Sequence, residues 1–244
     1  MYESSEMSAS YLQYCYGAAN RRGAFGQGES EGLYRTISDI ASREIHSGPP
    51  MALVIDFGCG VGRTTRDLAT LADDVVVVGL DASIELASTA SRILAGEPVE
   101  CGSADHGWPP FPMQLPAVPN AAIVQADAVS PPLASRFGGK KAALVIANML
   151  VDRLTNTADV DQMFDSMTDC LAPGGLAVVS SPSNWISKEC WDRFGGDPQW
   201  IRDSLECRGL IVETSFSGLV YREAIDPAGT HLDLPVAVVA GRKP

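Results

Sequence analysis

Three glycines at alternate positions, Gly58, Gly60 and Gly62, stand in the string Asp56-Phe57-Gly58-Cys59-Gly60-Val61-Gly62. Glycine lets a backbone turn sharply and lets a ligand come close to it. A dinucleotide fingerprint spaces such glycines G-x-G-x-x-G, so that a pyrophosphate can reach a helix N-terminus. Here Arg63 occupies the third glycine position of that pattern. The observed order is acid-x-G-x-G-x-G, and it is followed by two more acids, in Gly79-Leu80-Asp81 and Ala126-Asp127-Ala128. Each of the three acids stands at or near the end of a short apolar run. Three carboxylates at successive strand ends would point into one crevice.

The chemistry this suits is a nucleoside without phosphate that carries an amino-acid tail. Asp56 can orient an ammonium group, directly or through an ordered water. Asp81 can accept from both hydroxyls of a ribose, and Asp127 from an adenine amino group. S-adenosyl-L-methionine has all of these parts, so it is the expected cofactor. The residues expected to touch it are Asp56, Gly58, Cys59, Gly60, Asp81, Ala82, Asp127, Ala128 and Asn148. Cys59 reads as a small residue in a tight turn and receives no nucleophilic role. Methyl transfer is an in-line displacement, so the protein must align the acceptor and, where its pKa demands, deprotonate it.

Candidates for that work lie in two other segments. Asp152 is placed to orient or deprotonate an amine or imidazole, and Arg153 to hold a carboxylate. Tyr16, just before Gly17, is the second candidate catalytic group. Tyr14 and Trp185 are expected to line the acceptor site with Arg153, whereas Tyr11 reads as helix packing. The backbone carbonyl of Asn148 is expected to face the methyl group. No Ser-His-Asp arrangement and no metal-ligand spacing accompany them, and the three histidines are far apart. The Asp/Asn-Pro-Pro-aromatic signature of nucleic-acid amino-methyltransferases is absent, with Asn148-Met149-Leu150 in its place.

The elements that must position these residues alternate along the chain. Met7, Tyr11 and Tyr14 fall on one helical face, and a second helix runs from about Ser30 to His46 until Gly48-Pro49-Pro50 stops it. Ala52–Asp56 and Val75–Leu80 are continuous apolar runs, the mark of strands buried on both faces. A helix over 63–71 joins them, and another with Ser83 as its N-cap runs to about Leu94. Residues 96–120 hold six prolines with Trp108 and Phe111, an ordered excursion off the sheet. Further strands are expected at 121–125, 142–147, 176–180, 210–216 and 235–240, with an amphipathic helix near 160–171 capped by Thr157. Strand, loop and helix alternating in this way build a doubly wound α/β sheet.

The motifs Val54 to Gly62, Asp81, Asp127 and Cys170-Leu171-Ala172-Pro173-Gly174-Gly175-Leu176 resemble those of class I S-adenosylmethionine-dependent methyltransferases. The resemblance covers about residues 50 to 185. It implies a seven-stranded, mostly parallel, Rossmann-like sheet with its last strand antiparallel, supplied by the two late strands. A single domain is expected, with a helical cap over 1–48 and the cofactor-binding core over 50–244. A narrower resemblance links Tyr2-Glu3-Ser4, Tyr11-Leu12, Tyr16-Gly17, Ala147 to Leu154, Ser181 to Trp185 and Gly195-Gly196 to the methyltransferase domain of ovothiol-synthesising enzymes. That group methylates an imidazole nitrogen of 4-mercaptohistidine. The chain departs from its pattern at Ala228-Gly229-Thr230-His231-Leu232-Asp233-Leu234, where a basic, aromatic run is expected, so the acceptor pocket differs there. Natural-product or peptide methylation at oxygen, nitrogen or carbon, and a non-catalytic adenosylmethionine-binding module, stay open beside it.

Bulk properties narrow the partners. The 244 residues are 45% hydrophobic and 20% charged, enough for a sizeable core, and carry a formal net charge of −12. Phosphate backbones and anionic membranes attract a Lys/Arg surplus, so the expected partner is a small molecule rather than nucleic acid or membrane. Six cysteines without regular spacing read as free thiols in a reducing compartment, and Met1 to Glu6 has no signal-peptide character. The expected location is cytoplasmic.

Overall fold

The computed structural model describes residues 12, 15–16, 31–48, 52–103, 108–130, 133–182, 188–194, 198–224 and 231–244. The expectations placed on Tyr11, Tyr14 and Trp185 lie outside these residues. The described strands are β1 (Leu53–Phe57), β2 (Val76–Asp81), β3 (Val99–Ser103), β4 (Trp108–Met113), β5 (Ala121–Gln125), β6 (Ala142–Asn148), β7 (Leu171–Pro182), β8 (Ile211–Ala224) and β9 (His231–Arg242). Seven of them form one sheet in the order β5-β2-β1-β6-β7-β9-β8. All neighbours are parallel except β9, which runs antiparallel to both β7 and β8. This is the Rossmann-like, doubly wound sheet of the sequence reading.

The apolar runs of β1 and β6 are explained by burial on both faces. Ile55, Val145 and Val179 face a cluster that includes Val160, Met163, Phe164 and Met167 of helix Thr157–Cys170. Val54, Leu144, Ile146 and Val178 face the other cluster, which takes Leu33, Ile37, Ile40 and Ala41 from helix Glu31–Ser47. Period-2 alternation in the strands thus meets period-3.6 stripes in the helices on each side. Ser83 caps helix Ile84–Leu94, its hydroxyl accepting from the Leu86 N–H.

Residues 96–120 hold a separate two-stranded hairpin in which β3 pairs antiparallel with β4. Val99 and Cys101 of β3 pack with Leu86 and Ile93 of the adjacent helix and with Leu12 and Tyr16. The excursion therefore forms a floor for the described, helical residues of the N-terminal segment. Four elements differ from the sequence reading at their boundaries. The cap of helix Thr157–Cys170 is Asn156, not Thr157, because the Asn156 side chain accepts from Asp159 N–H while the Thr157 N–H and hydroxyl both donate to Glu189. β7 begins at Leu171, where it already pairs with Ala142. β8 and β9 run well past 210–216 and 235–240, with register shifts between Val212 and Thr214 and between Phe216 and Leu219. Helices Lys188–Phe194 and Gln199–Glu206 are additional to the elements expected from the sequence. Among the described residues no helix is long and apolar enough to cross a membrane.

Candidate functional site

The glycine loop leaves β1 with φ of +66° at Gly58 and +55° at Gly60, values an L side chain rarely adopts. A Cβ on Gly58 would lie 2.6 Å from Leu150 Cδ1, so glycine is needed there for space as well as for conformation. A Cβ on Gly60 would meet nothing within 4 Å, because that position faces open space. The loop is tied to the end of β2. Cys59 N–H donates to the Leu80 carbonyl at 2.9 Å, and Gly60 N–H donates to Asp81 Oδ2 at 2.8 Å. Ser83 N–H donates to the other oxygen, Asp81 Oδ1, at 2.9 Å. Each Asp81 oxygen thus accepts one backbone N–H and keeps further lone-pair capacity for a ligand hydroxyl. Burial raises the Asp81 carboxyl pKa, and these two backbone bonds oppose the rise.

Above the loop lies a cavity of about 360 Å³. Of the nine residues expected to hold the cofactor, Gly58, Cys59, Gly60, Asp81, Ala82, Asp127, Ala128 and Asn148 line it. Asp127 is exposed, with Oδ1 accepting from Val129 N–H at 3.0 Å. Burial pushes the Cys59 thiol well above its usual range, so it stays protonated, in keeping with a packing role.

Asp56 is placed differently. It is 1% exposed, does not line the cavity, and accepts the Thr65 hydroxyl at 2.6 Å beneath the loop. Burial pushes its carboxyl up to about 7; the Thr65 hydroxyl opposes this and the Asp81 charge adds to it. Asp152 also stands behind the wall, 3% exposed, with Oδ2 at 3.1 Å from Arg153 Nε. Arg153 itself is in the wall. Tyr16 is buried, its hydroxyl donating at 3.4 Å to the carbonyl of Val61. It ties the N-terminal segment to the loop at Val61 and does not line the cavity.

Several lining residues carry little sequence signal. Arg63, which broke the dinucleotide pattern, donates from Nε to Asp67 Oδ2 at 2.7 Å and from Nη1 to the Cys15 carbonyl at 2.7 Å. Its guanidinium carbon lies 5.3 Å from the ring centroid of Tyr34 and 6.0 Å from that of Tyr16, within cation–π range. Burial pushes Asp67 up to about 6, and the Arg63 guanidinium opposes the rise. Met149 stands in the left-handed region with φ of +56°, the only described non-glycine residue with positive φ. Its N–H donates to Ser180 Oγ at 3.0 Å, while the Ser180 hydroxyl donates to Asn148 Oδ1 at 2.6 Å and Asn148 Nδ2 donates to Thr64 Oγ1 at 3.1 Å. A strained residue held by such a network at a cavity wall is characteristic of a functional site. Tyr34 and Tyr221 complete the wall from elements distant in sequence.

A family model described as a methyltransferase domain matches residues 31–223. The chain belongs to the methyltransferase-domain family. It is an S-adenosylmethionine-dependent methyltransferase. A search of the curated proteins finds no match to this methyltransferase. Among solved structures, its fold is similar to the N-methyltransferase NodS from Bradyrhizobium japonicum WM9 in complex with S-adenosylhomocysteine. That alignment has a TM-score of 0.56 and 14% identity, covering 97% of this chain and 98% of that one. A TehB-like methyltransferase from Corynebacterium glutamicum aligns with a TM-score of 0.53 and 16% identity over 88% and 98% of the two chains. The glycopeptide N-methyltransferase MtfA complexed with S-adenosylmethionine aligns with a TM-score of 0.54 and 17% identity over 85% and 87%.

The residues present fit that cofactor. Gly60 leaves open space where a Cβ would project, and the loop presents no glycine at 63 for a pyrophosphate. Bound S-adenosylmethionine supplies a methyl carbon already activated by its sulfonium. What remains for the methyltransferase is to fix Asp81 and the loop and to line the cavity with the apolar side chains of Leu150, Leu154 and Leu86.

Proposed function

We propose that this methyltransferase acts on a small, carboxylate-bearing nitrogen acceptor, and that the acceptor is an imidazole nitrogen of a thiohistidine-like amino acid. The observation that carries the reading is the placement of Arg153 in the cavity wall with Asp152 directly behind it, Nε to Oδ2 at 3.1 Å. A guanidinium whose charge is fixed by a buried carboxylate is a suitable partner for an acceptor carboxylate. In this reading Gly58, Cys59, Gly60, Asp81, Ala82, Asp127, Ala128 and Asn148 hold the cofactor, and Asp56 supports the loop from below. Asp152 acts through Arg153, and Tyr16 holds the loop in place at Val61. The narrower acceptor rests on the resemblance of residues 147–154 to ovothiol-synthesising methyltransferases. Tyr14 and Trp185 are assigned to the acceptor site on the same resemblance.

The wider reading, a peptide or natural-product nitrogen, has the fold similarity to NodS and MtfA in its favour. A methyl-release assay against thiohistidine, histidine, open-chain amines, small peptides and carboxylic acids separates the two. Turnover of thiohistidine at nitrogen supports the first. Turnover of peptides or open-chain amines with none of either imidazole overturns it.

A further inference from the structure

We propose that Tyr221 is a specificity-determining residue that, with Tyr34, selects a planar ring acceptor over an open-chain one. This rests on the methyl-transfer reading above and adds the shape of the acceptor to it.

The argument begins with the sheet order. Asp81, the last residue of β2, and Asp127, just after β5, mark the nucleoside end at one edge of the sheet, whereas β8 is the opposite edge strand. β8 is separated from β6 by β7 and β9, a distance of about 14 Å at ordinary strand spacing. A straight strand there would not reach a cavity centred on the β1 loop. Yet Tyr221 lines that cavity together with Gly60, Asn148 and Met149. The register shift between Phe216 and Leu219, where Gly218 has φ of +77°, supplies the bend. Bulges turn a strand and re-aim its side chains. Beyond the bulge, Leu219 approaches the start of helix Glu31–Ser47, its Cδ2 3.8 Å from where a Cβ on Gly32 would sit. Tyr34, on the first turn of that helix, lines the same cavity.

The side chains at this end have a common character. Tyr221 is 5% exposed while its neighbour Val220 points outward, so the strand drives the ring inward. Met149 packs against the cluster that contains Tyr221 and Leu219. The Arg63 guanidinium 5.3 Å from the Tyr34 centroid helps to hold that ring in place. Two phenol rings and a thioether offer flat, polarisable surfaces to a ring ligand, with hydroxyls as polar handles. An open-chain amine leaves those faces poorly covered.

The test uses the intact chain saturated with S-adenosylhomocysteine and labelled with 13C in its tyrosine rings. L-Histidine, thiohistidine and the open-chain ornithine are titrated in turn, and the Tyr221 signals are assigned by their loss in Tyr221→Phe. The expected result is a Tyr221 shift at concentrations at least tenfold lower for the ring compounds than for ornithine. An equal response to ornithine, or no response to either ring compound, overturns the proposal. Tyr221→Ala provides a second readout, with ring-compound affinity lowered tenfold or more and S-adenosylhomocysteine affinity within twofold. A matching loss of S-adenosylhomocysteine affinity assigns Tyr221 to the donor half and also overturns it. The thiohistidine reading fails separately, when histidine shifts Tyr221 but thiohistidine is not methylated.

Discussion

Asp81 carries opposite demands in one side chain: it fixes two backbone N–H groups and keeps lone pairs for a ligand. Asp81→Asn leaves one oxygen for those two donors and turns an amide NH₂ toward the other. A buried donor left unmatched costs about 1–3 kcal/mol. The variant is expected to weaken S-adenosylmethionine binding at least tenfold in calorimetry while its far-ultraviolet dichroism stays that of the wild type. Asp56 makes a different prediction, in pH. Its folded value, about 7, stands above the ordinary 3.8, so the folded chain holds this proton where the unfolded chain has lost it. An acid shifted upward stabilises less as pH rises, and its contribution declines from about pH 4 to about pH 7 and then levels. Urea melts of Asp56→Asn and wild type across that window are expected to differ in slope, with the variant losing less stability as pH rises. Parallel slopes would refute the assignment. The sequence places Asp56 at a strand end but does not say which way its side chain turns. That depended on Thr65, nine residues on, reaching back beneath the loop.

At the scale of elements, local signals were legible and long-range ones were not. The Ser83 cap needed only its own first turn, and the sequence alone located it. The Asn156 cap was displaced from Thr157 because Glu189, on a helix with weak periodicity, engages Thr157. The apolar runs gave the sheet strands because burial on both faces leaves an uninterrupted pattern. The bulged half of β8 is not legible in the sequence because Ser217, Gly218 and the polar residues after Tyr221 do not read as a strand. Ser83→Ala is expected to lower stability by about 1 kcal/mol, measured by urea denaturation. Its backbone N–H still reaches Asp81, so S-adenosylmethionine affinity should remain within about threefold, a change of under about 0.7 kcal/mol. A larger loss would show that the helix start, not only the carboxylate, sets the donor site.

Over the whole molecule, Arg242 near the end of β9 joins parts far apart in sequence. It pairs bidentately with Glu44 of helix Glu31–Ser47 at 2.9 Å for both contacts, and with Glu213 of β8 at 2.6 and 3.0 Å. The pairs are partly exposed, so their worth is modest. Arg242→Met is expected to cost about 1 kcal/mol by urea denaturation, less at high salt. A double-mutant cycle with Glu44→Gln should show coupling, and additive losses would show that the bridge contributes nothing. This bridge couples the helix that carries Tyr34 to the hairpin that carries Tyr221. The bulge at Phe216–Leu219 has a consequence for how such a protein can diversify. In the proposed reading donor recognition is written in residues 58–148, whereas Tyr221 is delivered by a hairpin outside that stretch. On the proposed role of Tyr221, drift in the hairpin changes what is methylated while the methyl source stays the same.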